Sequence, residues 1–288
     1  MSNSIRRLLT SAVAVPIIYV IFHIGGILYL LLILTVILLG QLEYRKLLRT
    51  KDLPNEGIAG AAFSMLIGLA AYSGYIAMSL TFTASVLLIP IFCLRKKEFG
   101  DTLTRMGVTV FGVIYIGWLL SHAILLRDIA GTGNIGGIAH EILGLSDAGF
   151  FFVVFAVACT FLHDTGAYYT GVLVGKHKLA PNISPGKTIE VTIGGFVVCI
   201  ITGLVVNYIF GEPLSSDWTV ALGILIAISA VFGDLVESAI KRGAGLKDSG
   251  AIVPGHGGVL DRSDSLIFVF PVTYYFALVY YKLAGVAI

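Results

Sequence analysis

The sequence predicts an all-α polytopic membrane protein with about nine transmembrane helices, and three observations support that prediction. Of the 288 residues, 57% are hydrophobic and only 12% are charged, which is too apolar for a soluble domain of ordinary composition. The apolar runs approach the roughly 20 residues that a helix needs to cross a bilayer. They also lack the alternating polarity of transmembrane β-strands. The chain is therefore expected to be an integral protein of the cell's inner or plasma membrane.

Nine candidate spans follow one another along the chain. They cover residues 8–24, 26–43, 57–77, 79–94, 106–126, 149–171, 189–210, 217–240 and 264–284. Each is near the length of a membrane-crossing helix. We interpret residues 1–105 as N-terminal scaffold helices and residues 106–288 as the catalytic region of one integral membrane unit.

The distribution of basic residues predicts how these spans are oriented. With a cytoplasmic N-terminus, 17 of the 19 Lys and Arg residues fall on the cytoplasmic side, and only Arg127 and Lys282 fall outside. This asymmetry is the positive-inside pattern. Because nine is an odd number, the C-terminus is predicted to lie outside, and both polar regions described next face the cytoplasm.

The densest polar stretch, residues 238–264, lies between the last two apolar runs. Its glycines would let backbone N–H groups approach an anion closely. Its cations would neutralise phosphate groups. The stretch therefore indicates a phosphate-binding site at the ends of two helices.

Carboxylates accompany those cations. Asp234 lies near the end of the penultimate span, and on a helix Glu237, Ser238 and Lys241 would share its face. Mg²⁺ takes one or two carboxylates together with substrate phosphates, so a divalent metal site is a reasonable prediction. The alternative is that the acids at residues 261–264 favour a helix N-terminus while the basic residues only anchor the topology.

A second polar region spans residues 163–190. Asp164 is an ionisable residue within an apolar run, with Tyr168 one turn later, and such residues are functional candidates. Residues 184–188 place a lysine, two hydroxyls and turn amides before a helix N-terminus, which favours anion binding. Taken alone, the region is more typical of an ordinary connector than of a binding site.

Four motifs in the C-terminal stretch resemble the phosphatidate cytidylyltransferase family (CDP-diacylglycerol synthases). They are Ser238-x-x-Lys241-Arg242, Lys247-Asp248, Pro254-x-His256-Gly257-Gly258 and Asp261-Arg262-x-Asp264. The earlier region is similar to the same family in its D-x-x-A-Y-x-x-G, G-K and S-P-x-K-T-x-E patterns. Val191, Val253 and Ser263 depart from the family pattern. The N-terminal half resembles the family only in its spans and in Glu43-Tyr44.

The resemblance implies transfer of a cytidylyl group from CTP to phosphatidate, giving CDP-diacylglycerol and pyrophosphate. We expect Mg²⁺, with room for a second cation, on Asp234, Asp261 and Asp264, and catalytic roles for Lys241 and Arg242. Substrate-binding roles are expected for Lys247, Asp248, His256, Gly257, Gly258, Arg262, Ser184, Lys187, Thr188, Glu190, Lys176, Asp164 and Tyr168. For His256, donation to the leaving pyrophosphate and a structural loop role remain equally open.

The implied partners are CTP, phosphatidate and the lipid bilayer, with no nucleic acid, and the resemblance implies a homodimer. Two other CTP-dependent membrane enzymes, a polyprenol kinase and an archaeal CDP-archaeol synthase, are the nearest alternatives. A cation-coupled transporter with intramembrane acids at residues 164 and 234 is a third. It would predict an internal repeat, and the sequence has no convincing one.

Overall fold

The computed structural model describes residues 3–95, 100–129, 147–181, 183–250 and 257–285. Helices form most of that part of the chain. In order they are α1 (Asn3–Ile24), α2 (Gly26–Arg49), α3 (Gly57–Ala71), α4 (Tyr75–Cys93), α5 (Thr102–Arg127), α6 (Ala148–Val174), α7 (Ile189–Ile209), α8 (Ser216–Gly243) and α9 (Leu260–Leu283). Two short strands, β1 (Lys178–Ala180) and β2 (Ser184–Thr188), lie between α6 and α7.

Among the described residues, seven helices are long and apolar enough to cross a membrane, which confirms the predicted polytopic all-α class. The shorter apolar segments are Ala14–Ile24 of α1 and the whole of α3. The predicted break at residue 78 is wrong, because α3 ends at Ala71 and α4 begins at Tyr75. Gly74, in the actual turn, has a φ of +105°, a conformation that glycine adopts without the steric cost of a Cβ.

Helix α5 contains a π-helical segment, Val113–Trp118, that the sequence analysis did not predict. The Gln41 side-chain amide on α2 donates hydrogen bonds to the Gly112 carbonyl at 2.8 Å and to the Ser64 hydroxyl at 2.7 Å. A side chain that engages a helix carbonyl perturbs the regular ladder of hydrogen bonds, and such insertions accompany π-bulges and kinks. The contact therefore explains the irregular turn in physical terms.

Helices α6 and α7 pack closely because each presents small residues to the other. A Cβ added at Gly166 would lie 2.5 Å from the Val198 side chain, and one added at Gly195 would lie 2.6 Å from Nε2 of His163. Small residues at such interfaces let helix backbones approach each other in membranes. This pair of helices forms one wall of the cavity described below.

The polar connector after α6 is a β-hairpin, which the sequence analysis treated only as a turn before a helix. Strands β1 and β2 are antiparallel, with Lys178 opposite Thr188 and Ala180 opposite Ser184. Thr188 ends β2 and caps α7, because its hydroxyl accepts a hydrogen bond from the Val191 N–H at 3.3 Å. Such caps satisfy the donors at the start of a helix.

The chain divides into two compact units. The first comprises Met1–Leu125 and Ile240–Ser263, and the second comprises Leu126–Ala239 and Asp264–Ile288. This division is by packing, whereas the predicted division into residues 1–105 and 106–288 is by role and stays a prediction. The predicted orientation of the termini also stays a prediction.

Candidate active site

Three carboxylates meet in the second unit. Asp234 and Glu237 on α8 and Asp264 on α9 each offer an oxygen, and these oxygens lie within 4.8 Å of one another. Glu237 is 2% exposed, whereas the two aspartates are half-buried. Three acids this close repel each other unless a cation or proton compensates them. The arrangement is therefore one that could hold a metal ion.

Gly233 explains why these carboxylates meet. A Cβ at this position would lie 2.5 Å from the Asp264 carbonyl oxygen and 2.9 Å from the Ser265 Cα, so α8 and α9 touch backbone to backbone here. The Ser265 hydroxyl adds a hydrogen bond to the Ala230 carbonyl at 3.2 Å. Any larger residue at position 233 would separate the two helices. The glycine thus brings Asp264 to the acids of α8.

A lysine compensates part of the negative charge. The Lys187 ammonium on β2 lies 2.5 Å from Oδ2 of Asp234. The Ser238 hydroxyl, one turn along α8, donates to Oδ1 of the same carboxylate at 3.2 Å. Both oxygens of Asp234 therefore have a protein partner, which fixes the orientation of the carboxylate toward its neighbours.

A cavity of about 470 Å³ opens beside this ion pair. This volume is within the range of about 300–1,000 Å³ that is usual for small-ligand sites. The polar residues that line it are His163, Asp164, Tyr168, Lys178, Lys187, Thr188, Thr192 and Asp234. The lining combines two lysines and two aspartates with apolar residues such as Val172, Val191 and Val231, which suits a ligand with both charged and apolar groups.

Glu190 organises the hairpin that forms the rim of this cavity. Its carboxylate accepts hydrogen bonds from the backbone N–H groups of Lys176 and His177, each at 3.1 Å, and it lies 2.5 Å from Nδ1 of His177. These contacts close the loop between α6 and β1 onto the first turn of α7. The hairpin lysine, Lys187, is thereby held on a braced element rather than on a free loop.

Asp261, the remaining predicted metal ligand, lies in the first unit. Its Oδ1 accepts a hydrogen bond from the Lys241 ammonium at 2.7 Å. Its Oδ2 accepts from the backbone N–H groups of Ser249 at 3.1 Å and Gly258 at 2.9 Å. The structure thus pairs the predicted catalytic lysine with a predicted metal ligand. The assignment of Asp261 to the metal stays a prediction.

The other predicted site residues occupy varied positions. The Arg242 guanidinium donates to the Leu246 carbonyl at 3.1 Å, and Gly257 has a φ of +92°. Several predicted substrate-binding residues are exposed: Asp164, Tyr168, Lys176, Lys247, Asp248 and Arg262. Ser184 is half-buried and Gly258 is buried. His256 lies outside the described residues.

Two acids that the sequence analysis left out of the site are prominent in the structure. Glu237 completes the carboxylate cluster, and its spacing of three residues from Asp234 was the available signal. Glu43, on α2, is 2% exposed and contacts the loop between α8 and α9. No local pattern around Glu43 indicates that contact.

The sequence of this chain is similar to those of known proteins along nearly its whole length. The sequence model of the cytidylyltransferase family matches residues 5–280. This chain belongs to the cytidylyltransferase family. The match includes parts of both units and every candidate site residue described above, so it agrees with the resemblance that the polar motifs indicated.

Members of the cytidylyltransferase family with similar sequences include three bacterial proteins named phosphatidate cytidylyltransferase. The one from Synechocystis sp. is 30% identical over 283 residues, which cover 95% of this chain and 96% of the relative. The one from Bacillus subtilis is 30% identical and covers 94% and 96%. The one from Staphylococcus haemolyticus is 34% identical over 269 residues and covers 92% and 95%. The similarity is therefore nearly end to end.

Proposed function

We propose that this chain transfers the cytidylyl group of CTP to phosphatidate, giving CDP-diacylglycerol and pyrophosphate. The observation that carries the proposal is the carboxylate cluster of Asp234, Glu237 and Asp264 in a chain that aligns from end to end with proteins named phosphatidate cytidylyltransferase. The lysine beside that cluster and the adjoining cavity give further support.

The reaction sets clear physical demands. A phosphate oxygen of the lipid forms a bond to the α-phosphorus of CTP, and the bond from that phosphorus to the β-phosphate bridging oxygen breaks. Pyrophosphate leaves with the bonding electrons. Because an anion attacks an anion, alignment and charge neutralisation should supply most of the catalysis. No covalent intermediate on the protein is required.

The carboxylate cluster suits a divalent metal such as Mg²⁺. Carboxylate oxygens are ligands that Mg²⁺ takes together with substrate phosphates, and one oxygen of each of the three acids lies within 4.8 Å of the other two. When bound, the metal would neutralise phosphate oxygens and align the reacting groups. A second cation would fit the surplus of acids, and Asp261 stays a candidate ligand.

The basic residues would receive the phosphates. Lys187, already beside Asp234, would hold the triphosphate at the cavity, while Lys241 and Arg242 would act on the reacting phosphates. Arg engages phosphate oxygens in pairs whereas Lys acts as a point charge, so Arg262 and Lys247 would have different tasks. The remaining predicted binding residues would contact the nucleotide or the lipid headgroup.

The two substrates constrain where the reaction occurs. Phosphatidate keeps its acyl chains in the bilayer, whereas CTP stays in water, so the reacting phosphates must meet at the membrane boundary. We place this boundary on the cytoplasmic side because the basic residues favour that orientation. A homodimer is the expected assembly, on the strength of the family resemblance.

Labelled CTP tests the proposal directly. Purified protein with Mg²⁺, phosphatidate and CTP labelled at the α-phosphate should give a labelled lipid, and label at the γ-phosphate should appear in pyrophosphate. A lipid that carries the γ-label would instead identify a kinase. Cation-driven uptake into vesicles without any transfer would favour a transporter, and either result would overturn the proposal.

A further inference from the structure

The buried acid Glu43 makes contacts that the proposed reaction does not use. Its Oε1 accepts a hydrogen bond from the Val259 N–H at 3.0 Å. Its Oε2 accepts from the Leu260 N–H at 2.8 Å and from the Ser249 hydroxyl at 3.1 Å. Hydrogen bonds to an ionised carboxylate are stronger than those between neutral groups. A carboxylate from the second helix therefore binds residues more than 200 positions later.

Those three donors lie in, or directly after, the described part of the α8–α9 loop, which comprises residues 244–250 and 257–259. Ser249 lies in its first half, and Val259 precedes α9 directly. The first N–H groups of a helix have no partner within it, and its positive end favours an anion. Glu43 on α2 therefore caps the N-terminus of α9 through the Val259 and Leu260 N–H groups. It also binds the hydroxyl of Ser249, which follows α8.

Two glycines of the loop, Gly250 and Gly258, lie directly against the Glu43 side chain. A Cβ at Gly258 would lie 2.7 Å from its Oε2, and a Cβ at Gly250 would lie 2.9 Å from its Cδ. With contacts this short, a side chain at either position would displace the Glu43 carboxylate from its hydrogen bonds. The backbone at Gly250 and Gly258 thus packs directly against the carboxylate, which explains two glycines that need no positive φ.

The same two stretches of the loop, residues 244–250 and 257–259, hold Asp261. The Ser249 N–H and the Gly258 N–H both donate to its carboxylate, and Lys241 pairs with it. Glu43 binds the Ser249 hydroxyl and the Val259 N–H. Both carboxylates, Glu43 and Asp261, therefore bind Ser249 on one side of the loop and the residues at 258–259 on the other. Any displacement of these stretches would therefore move the Lys241–Asp261 pair.

We propose that Glu43 is a positioning residue for the transfer reaction, which it serves by fixing residues 247–250 and 257–259 around the Lys241–Asp261 pair. It would touch neither substrate and would act through Ser249 and the start of α9. The effect on turnover rests on the proposed function. The effect on the loop does not.

The first experiment replaces Glu43 by Gln, which keeps the shape of the side chain. One carboxylate oxygen becomes an NH₂ group, and this donor then faces N–H or O–H donors, so at least one hydrogen bond is lost. Hydrogen exchange should rise at least tenfold at amides of residues 247–250 and 258–261, while α3 and α5 keep their protection. The kcat should fall about tenfold to a hundredfold, with a smaller change in KM for CTP. Glu56→Gln, an acid of the same unit 3.9 Å from Arg105, should leave all of these unchanged.

A second variant keeps the inference testable if Glu43→Gln does not fold. Ser249→Ala removes one donor and leaves the carboxylate in place, so it should raise exchange in the same segments and lower kcat by a smaller factor. In the double variant Glu43→Gln/Ser249→Ala, the fall in kcat should be smaller than the product of the two single falls, because both substitutions remove the same Ser249–Glu43 contact.

Two results would overturn the inference. One is unchanged hydrogen exchange at residues 247–250 and 258–261 in both variants. The other is increased exchange spread over α2, α3 and α5, which would mean that Glu43 only supports helix packing. If the wild-type chain transfers no cytidylyl group, the proposed function fails, but the exchange pattern still decides the role of Glu43.

Discussion

At the scale of single residues, the carboxylate cluster in the structure contains Glu237, which was not among the predicted metal ligands. Asp234 and Asp264 were predicted ligands, and the structure brings them together with Glu237. Spacing on one helix placed Glu237 on the correct face. The sequence could not show which acid of the following helix would approach that face, because this depends on how deeply α8 and α9 interlock at Gly233.

We predict that Glu237→Gln weakens metal binding. The amide keeps the shape of the side chain but removes one negative charge from the cluster, so the Mg²⁺ concentration for half-maximal turnover should rise about tenfold to a hundredfold. Titration with Mn²⁺, followed by electron paramagnetic resonance, measures the affinity without turnover. Asp217→Asn, an exposed acid in the first turn of the same helix, is the matched control, and equal behaviour of the two variants would contradict the prediction.

We also predict that Lys187→Met raises the KM for CTP about tenfold or more. The variant removes the ammonium that lies 2.5 Å from Asp234, so the triphosphate meets an uncompensated carboxylate instead of an ion pair. A tenfold change corresponds to about 1.4 kcal/mol of binding free energy. Steady-state kinetics with varied CTP measures it. Lys187→Arg keeps the cation and should recover part of the affinity, and an unchanged KM in the Met variant would remove Lys187 from the site.

At the scale of elements, the helices were predictable but their irregularities were not. Runs of apolar residues indicate where a span lies, since the bilayer sets its length. The π-helical segment of α5 depends on Gln41, which belongs to another helix. The hairpin before α7 was also missed, because its strands are three and five residues long and too short to show a periodic pattern.

Gly233→Ala should destabilise the second unit by about 1–3 kcal/mol, the usual cost of overpacking. The added methyl group would meet the Asp264 carbonyl oxygen at 2.5 Å, so α8 and α9 would separate and turnover would fall with the carboxylate geometry. Thermal unfolding in detergent measures the first effect. Gly243→Ala on the same helix meets nothing within 4 Å and should be neutral or slightly stabilising. Similar losses in both variants would contradict the close-approach argument.

Gln41→Leu should destabilise the first unit by about 1–3 kcal/mol, because it leaves the buried Gly112 carbonyl and Ser64 hydroxyl without this donor. The melting temperature in detergent gives the size of the effect. Thr35→Ala, which removes only an exposed hydroxyl bonded within its own helix, is the control on α2. A Leu variant as stable as the wild type would show that the amide contributes little.

At the scale of the whole molecule, the membrane class followed from composition alone, whereas the arrangement of units did not. Apolar content determines that the chain enters the bilayer. Which spans pack together depends on close contacts between residues far apart in sequence, such as Glu43 with Val259. A single sequence contains no signal for such pairs, so the division into two packed units could not be predicted from it.

The orientation across the membrane can be tested with cysteine labelling. The positive-inside pattern predicts that the α2–α3 connection faces the cytoplasm and the α7–α8 connection faces outside. A membrane-impermeant maleimide added to intact cells should therefore label Ser215→Cys but not Lys51→Cys, both at exposed positions. The three native cysteines are buried and should stay silent. Labelling of the second variant alone would invert the topology and move the proposed reaction to the other face.

The bond between Glu43 and Val259 also bears on biogenesis. The two residues are 216 positions apart, so the ribosome releases the acid long before its partners exist. During that interval the nascent second helix carries a carboxylate without the N–H and O–H groups that later donate to it, which belong to Ser249, Val259 and Leu260. A chain truncated before these donors would leave the carboxylate without its three hydrogen bonds, and an unsatisfied acceptor is costly to bury.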